Sequence, residues 1–251
     1  MTEEPLEIRL GYQSPRGRTQ HSVSITMRTP GDDFSLAAGF LFSEGILRRA
    51  ADIQDIVWCG DGRNTNVVRV ELADDVKPDL KRLQRHVYTT SSCGVCGKTS
   101  LEALELQGWE PVPTTQTVDP RVLVGLPDRL REQQSLFSDT GGLHAVGEFD
   151  RDGRLLAICE DVGRHNALDK LVGAHIRQGR VGIEGAVVVL SGRASFELLQ
   201  KAVAARCEVV AAVGAPSSLA VELAQTYGIT LAGFVRSGRM NVYAHPARLG
   251  G

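Results

Sequence analysis

Cys93 and Cys96 stand two residues apart in Ser91-Ser92-Cys93-Gly94-Val95-Cys96-Gly97-Lys98-Thr99-Ser100, a glycine-rich stretch that runs directly into helix-like sequence. Two thiols at that spacing can do redox or sulfur-transfer chemistry if the thiolate is favoured and the backbone can move. Both conditions are written close by. Thr99 and Glu102 have the spacing of a capping box, with Leu101, Leu104 and Leu106 following, so the pattern predicts a helix starting just after the cysteines. The positive end of that helix, together with Lys98, favours thiolate over thiol, and Gly94 and Gly97 let the loop swing toward a partner.

Other chemistries need partners that the chain does not supply. A structural zinc site takes four ligands, and no second CxxC, CxxH or HxxxH follows Cys93 and Cys96. A zinc deaminase needs H-x-E and P-C-x-x-C at two helix starts, where this chain has Gly163-Arg164-His165-Asn166 and Ala194-Ser195-Phe196-Glu197. A thioredoxin-type dithiol lies early in a small domain, whereas this pair lies mid-chain. Gly97-Lys98-Thr99 ends like a P-loop after a strand-like Val87 to Thr90, but Ser92 replaces the required first glycine. Leu155 to Ile158 before Glu160-Asp161 imitates a Walker B strand, which keeps nucleotide hydrolysis as an alternative to thiol chemistry.

The 251 residues, 42% hydrophobic and 23% charged, suffice for one large or two modest domains with a true core. A formal charge of −2 from well-mixed signs argues against a broad surface for nucleic acid or anionic membrane, so any anion site is local. No apolar run reaches the length of a signal core or a membrane span, and the expectation is a cytoplasmic protein. Five cysteines do not form a secreted disulfide framework. Cys59, Cys159 and Cys207 lie in or beside β-like runs and read as small buried apolar residues.

The elements that would position these groups fall into two halves, divided near Pro111-Val112-Pro113-Thr114-Thr115, where a linker is expected. Residues 1–112 read as a small mixed α+β domain. Val23, Ile25 and Met27 alternate with polar residues, as do Val68, Val70 and Leu72, and a helix after Pro30-Gly31-Asp32-Asp33 carries Phe34, Ala37, Ala38 and Leu41. Residues 113–251 alternate strand and helix. Leu155 to Ile158, Ala186 to Leu190, Val209 to Val213 and Thr230 to Val235 are strand-like, with helices starting near Gly163, Ser195 and Ser217. That order predicts a mostly parallel sheet covered on both faces, with a ligand crevice beyond the carboxyl ends of its strands. His175 falls on an apolar helical stripe and is expected in the core.

Three turns at those ends carry Gly-Arg: Gly163-Arg164, Gly192-Arg193 and Gly238-Arg239, the last preceded by Arg236-Ser237. Two of them open helices, where backbone N–H groups and bidentate arginine bind phosphate. Arg164, Arg193, Arg236 and Arg239 could therefore converge on a phosphorylated ligand, or each could be a solvated turn residue. His144 in Thr140-Gly141-Gly142-Leu143-His144 and His165 beside Arg164 are pocket candidates on the same grounds. Glu160 and Asp161 could bind a metal, orient an arginine or, for Asp161, cap the following helix.

Taken together, seven ordered segments resemble the formate dehydrogenase accessory sulfurtransferase family. They are Thr29-Pro-Gly-Asp-Asp, Gly39-Phe-Leu-Phe-Ser-Glu-Gly-Ile, Ser92-Cys-Gly-Val-Cys-Gly-Lys, Thr140-Gly-Gly-Leu-His, Glu160-Asp-Val-Gly-Arg-His-Asn-Ala-Leu-Asp-Lys, Ser191-Gly-Arg-Ala-Ser-Phe-Glu and Gly233-Phe-Val-Arg-Ser-Gly-Arg. The resemblance implies a sulfur carrier that takes sulfane sulfur from a cysteine desulfurase. It passes the sulfur to the metal of a bis(molybdopterin guanine dinucleotide) cofactor, of which GDP would be a mimic, before insertion into formate dehydrogenase. On matching motif positions it implies that Cys93 bears the persulfide, with Cys96 as its partner, and that Phe234, Val235, Arg236, Ser237, Gly238 and Arg239 bind the cofactor. It also implies a cytidine-deaminase-like three-layer C-terminal domain without zinc or other structural metal, and a homodimer. The alternative from another class is a non-catalytic molybdenum-cofactor chaperone whose cysteines only sense redox state.

Overall fold

The structure, a computed structural model, describes residues 2–60, 66–79, 108–115, 117–134, 141–236 and 238–250. The cysteine pair, the helix expected after Thr99, the strand-like Val87 to Thr90, Thr140 and Ser237 lie outside the described residues.

The N-terminal half builds a four-stranded mixed sheet from β1 (Glu4–Ser14), β2 (Gly17–Arg28), β3 (Ile53–Trp58) and β4 (Val67–Leu72), in the order β2-β1-β4-β3. β1 runs parallel to β4, and the two outer pairs are antiparallel. Leu6, Ile8 and Leu10 on β1 and Val68, Val70 and Leu72 on β4 point inward in strict alternation and are fully buried. The same alternation misleads on β2. A bulge between Ile8 and Arg9 leaves Val23 as the extra residue, so Val23 is buried while Ile25 and Met27 turn outward, 69% and 47% exposed.

Helix α1 (Asp33–Ser43) lies under this sheet and is buried on nearly every side, including at Ala37, Ala38 and Leu41. The C-terminal half supplies α2 (Pro120–Leu123), α3 (Leu126–Gln133), β5 (His144–Phe149), β6 (Leu155–Asp161), α4 (Arg164–Arg177), β7 (Val187–Leu190), α5 (Phe196–Ala204), β8 (Val209–Ala212), α6 (Ser218–Tyr227), β9 (Thr230–Arg236) and β10 (Arg239–Ala244). The strands expected at 155–158, 186–190, 209–213 and 230–235 and the three helices between them are all present.

Their sheet is mixed rather than mostly parallel. Its order is β10-β9-β8-β7-β5-β6, and only β7, β8 and β9 run parallel. The β5–β6 hairpin adds antiparallel to β7, and β10 folds back on β9. β7 and β8 read Val-Val-Val-Leu and Val-Val-Ala-Ala because both of their faces are covered. Val188, Val210 and Leu231 face the core that also holds α4, α5 and α6, while Val187, Val189 and Val209 face Leu123, Leu126 and Leu130 from α2 and α3. The first core is continuous with the N-terminal sheet through α1 and α4.

The stretch expected as a linker is pinned. Val112 N–H donates to Tyr227, the Thr115 N–H reaches Glu208 at 2.8 Å, and the buried Arg248 guanidinium donates to the Pro113 carbonyl at 3.0 Å.

Candidate functional site

The carboxyl ends of β7, β8 and β9 lie side by side, and their hydrogen bonding continues past the formal strands. Gly214 N–H donates to Gly192 O at 2.9 Å and Phe234 N–H donates to Gly214 O at 3.1 Å, so the three turns form one continuous rim. A Cβ at Gly214 would stand 2.9 Å from the Arg193 Cγ and 3.0 Å from its Cα, and only glycine allows the second turn to close against the first. Phe234 holds a left-handed backbone at φ 53°, a strained state for an aromatic residue, and the residue is 39% exposed at this rim.

β5 joins the rim from the antiparallel side, with its first residue, His144, at the same end. The Ser191 Oγ accepts from Ala145 N–H at 2.9 Å, and Ser191 N–H donates to Ala145 O at 3.0 Å, fixing the start of β5 to the β7 turn. Beyond the rim opens a cleft of about 360 Å³. It is lined by His144, Ser191, Val213, Val235 and Arg236 from the sheet and its turns, by Asp128, Leu130 and Arg131 from α3, and by Gln134 just after that helix. Helix α3 can pack so closely because Gly147 on β5 has no side chain; a Cβ there would stand 2.7 Å from Leu130 and from Phe149.

The expected residues divide accordingly. His144, Val235 and Arg236 line the cleft, and the exposed Arg193 and Phe234 belong to the turns that bound it. Arg236 and Arg239 are cross-strand partners in the β9–β10 hairpin, with Gly238 at φ 79° in the turn. Two guanidinium groups so placed repel each other, an arrangement that an anion would relieve. Arg164 begins α4 next to His165, and its charge acts on both His144 and His165.

Both histidines are held neutral. Burial, then Arg164, pushes His144 below its ordinary range, with Asp161 opposing. Burial, then Lys201 and Arg164, pushes His165 down to about 4, with Glu197 opposing. The His165 Nε2 lies 3.3 Å from the Ser195 hydroxyl and 3.9 Å from the Glu197 carboxylate. His175 is in the core as expected, its Nε2 2.7 Å from the buried Glu148 carboxylate.

Asp161 does something the sequence did not disclose. Its fully buried carboxylate accepts from Thr29 N–H at 3.1 Å, Gly163 N–H at 2.8 Å and Asn166 Nδ2 at 3.0 Å, and pairs with Lys170 Nζ at 2.7 Å. It therefore ties the Thr29 segment to the start of α4 rather than holding a metal or an arginine. Of the other cysteines, Cys207 is buried with its thiol pushed up by burial, and Cys159 is half-buried and pushed up to about 12, so both environments favour the thiol over the thiolate. Cys59 is half-exposed. Among the described residues no three or more His, Cys, Asp or Glu side chains converge to hold a metal ion. No helix among them is long and apolar enough to cross a membrane.

The α3 wall is the part of the cleft that sequence reasoning missed. The signal for it was Pro127 at the start of a short run whose apolar positions are Leu126 and Leu130.

Comparison with known proteins agrees with this architecture. A family model described as the FdhD/NarQ family matches residues 1–250. The chain is 53% identical to a sulfur carrier protein FdhD of Streptomyces coelicolor, over 99% of this chain and 88% of that one. It is 47% identical to the protein of the same name from Mycobacterium tuberculosis, over 98% and 90%. A crystal structure of a Desulfotalea psychrophila protein taken to be a formate dehydrogenase accessory protein shares the fold, with a TM-score of 0.70 at 22% identity over 98% of this chain and 99% of that one.

Proposed function

The chain belongs to the FdhD/NarQ family, and from that premise we propose that it carries sulfur from a cysteine desulfurase to the bis(molybdopterin guanine dinucleotide) cofactor before that cofactor enters formate dehydrogenase. The observation that carries this reading is 53% identity, across 99% of the chain, to a protein named as a sulfur carrier.

Cys93 is the carrier. Its thiolate attacks the outer sulfur of the donor persulfide, the donor S–S bond breaks, the donor leaves as thiolate, and Cys93 becomes a persulfide. This exchange needs no outside oxidant or reductant. On delivery the Cys96 thiolate attacks the Cys93 sulfur, closing a disulfide and releasing the terminal sulfur as hydrosulfide toward the metal of the cofactor, which is the substrate. A cellular dithiol then reduces the disulfide for the next cycle.

The cleft beyond β7, β8 and β9 holds the cofactor by a guanine nucleotide arm, of which GDP is a mimic. Phe234 to Arg239, with Arg164, Arg193, His144 and His165, form its binding surface. Supporting this are the paired arginines of the β9–β10 hairpin, the presence of Arg236 in the cleft and the neutral histidines behind it. The strand order of residues 113–251 suits a cytidine-deaminase-like domain beside the smaller domain of residues 1–112, and the working form is a homodimer in the cytoplasm.

Intact-protein mass spectrometry after incubation with a cysteine desulfurase and cysteine tests the first half. The expected result is a reducible gain of one sulfur atom in the native chain and in Cys96→Ala, lost in Cys93→Ala. No gain in any form would leave a cofactor chaperone with redox-sensing cysteines.

A further inference from the structure

We infer that Phe234 is the platform on which the flat ring of the ligand's nucleobase stacks, and that the strained turn of β9 lifts this side chain out of the core for that purpose. The inference rests on the reading of this cleft as the cofactor site and assigns one residue its part in holding the base.

Ala232 and Val235 both face the core that holds α2 and α3 and are fully buried, although they are three residues apart and a regular strand returns to the same face at every second residue. β9 therefore carries one residue too many. The pairing with β10 places it: from Arg239 to Asn241 is two residues, while their partners Arg236 and Gly233 are three apart. Between those partners lies Phe234, in the left-handed region at φ 53°. Without the extra residue, alternation from Ala232 would turn Phe234 into the core and leave Val235 outside. The chain does the reverse. It buries the smaller side chain, leaves the aromatic residue 39% exposed, and holds a backbone conformation that only glycine adopts without strain. Both features oppose folding, so their use lies in binding.

The surroundings name the occupant. Among the described residues no other ring and no cation packs on the Phe234 ring. Its N–H donates to Gly214 O at 3.1 Å, which sets it beside Val213, 42% exposed and lining the cleft. Arg236 and Arg239 in the same hairpin and Arg193 on the β7 turn are exposed, and none of them pairs with a carboxylate among the described residues. An apolar face beside cations without countercharge suits a ligand that is flat at one end and anionic at the other, which is a nucleotide. A π-face reads no hydrogen-bond pattern, so Phe234 holds purines alike and contributes affinity rather than choice of base.

The test is calorimetric titration of the full chain with GDP, ADP and inorganic pyrophosphate, for the native protein, Phe234→Gly, Phe234→Ala and Phe234→Trp. Both small variants should bind GDP and ADP about tenfold more weakly than the native chain, the loss of one stacked base, with unchanged affinity for pyrophosphate, which has no ring. Phe234→Trp should keep the native affinity for both nucleotides. Thermal unfolding reads the strain: at φ 53°, Phe234→Gly should melt above Phe234→Ala, the reverse of their order in a regular strand. Glycine melting below alanine would mean that the turn is not strained and would overturn that half of the inference. If the small variants lose pyrophosphate as much as GDP, Phe234 only places the arginines and is no platform. If they bind GDP as the native chain does, the platform falls while the nucleotide site stands. If the native chain binds neither the nucleotides nor pyrophosphate, the cofactor reading of the cleft falls and takes the inference with it.

Discussion

Gly39 and Gly173 are the points at which α1 and α4 touch backbone to backbone: a Cβ at Gly39 would stand 2.8 Å from the Gly173 nitrogen, and a Cβ at Gly173 would stand 2.7 Å from the Gly39 nitrogen. The carbonyls of Asp169 and Ser35 lie closer still to the two positions. This crossing joins the N-terminal sheet to the helix whose first turn carries Arg164 and His165. Because backbone cannot swing aside as a side chain can, Gly39→Ala or Gly173→Ala should destabilise the fold by about 3 kcal/mol or more. Urea unfolding monitored by circular dichroism checks it. A loss under about 1 kcal/mol would mean that the helices separate at little cost.

The Asp161–Lys170 pair is a second fastening between the halves, and it is ionic. Lys170 Nζ also donates to the Thr29 carbonyl at 2.9 Å, so one buried charge pair holds both the β2–α1 connection and the β6–α4 turn. Asp161→Asn removes the countercharge and leaves a buried ammonium, at a cost of roughly 3–5 kcal/mol. In Asp161→Asn with Lys170→Met, where no charge is left stranded, much of that loss should return. A double variant as unstable as the sum of its parts would show that the hydrogen bonds to Thr29 and Gly163, rather than the charge pair, carry the stability.

These fastenings explain how far the sequence could be read. Strands β7, β8 and β9 and the helices between them follow from uninterrupted apolar runs and helical stripes, because burial alone dictates them. β5 carries Glu148 in the core, satisfied by His175 on α4, and Gly147 where α3 presses in, so its pattern is broken by contacts with residues that are distant in sequence. With β5 unread, the antiparallel hairpin beside β7 goes unseen and the sheet looks more parallel than it is. Ile25 and Met27 mislead because a single-residue bulge reverses faces without leaving any composition signal. In the cleft, turn chemistry pointed to His144 and Arg236, while Asp128 and Arg131 on a short polar helix look like any solvated surface until the fold sets them opposite β9.

Arg236 and Arg239 are cross-strand partners in a hairpin at the rim, and Arg193 sits on the β7 turn, with the Gly214 turn of β8 between them. Arg236→Ala should weaken GDP binding about tenfold, the loss of one charge-assisted contact. Arg193→Ala and Arg239→Ala should each weaken it by a similar or smaller factor. Persulfide loading by a desulfurase should be unchanged in all three, since none of them takes part in thiol exchange. Titration with GDP and mass spectrometry of the same preparations read the two properties separately. Unaltered GDP affinity in all three would remove the arginines from the binding surface.

His165 lies between the α4 and α5 starts, facing Ser195 and Glu197 on one side and, through space, the charges of Lys201 and Arg164 and the ring of His144 on β5. Burial and the two cations hold its ring neutral down to about pH 4 in the folded chain, against an ordinary value near 6.5. Above about 6.5 the ring is neutral in both states and contributes no pH dependence. As the pH falls from there through about 4, the unfolded chain takes a proton that the folded chain refuses, so stability is lost on acidification. His165→Gln cannot take that proton in either state and should lose less stability than the native chain between pH 7 and pH 4.5. Urea midpoints of both proteins at the two pH values measure the difference. Parallel losses would mean that His165 titrates in the fold as it does in water, and that the cations around the α4 start are screened from it.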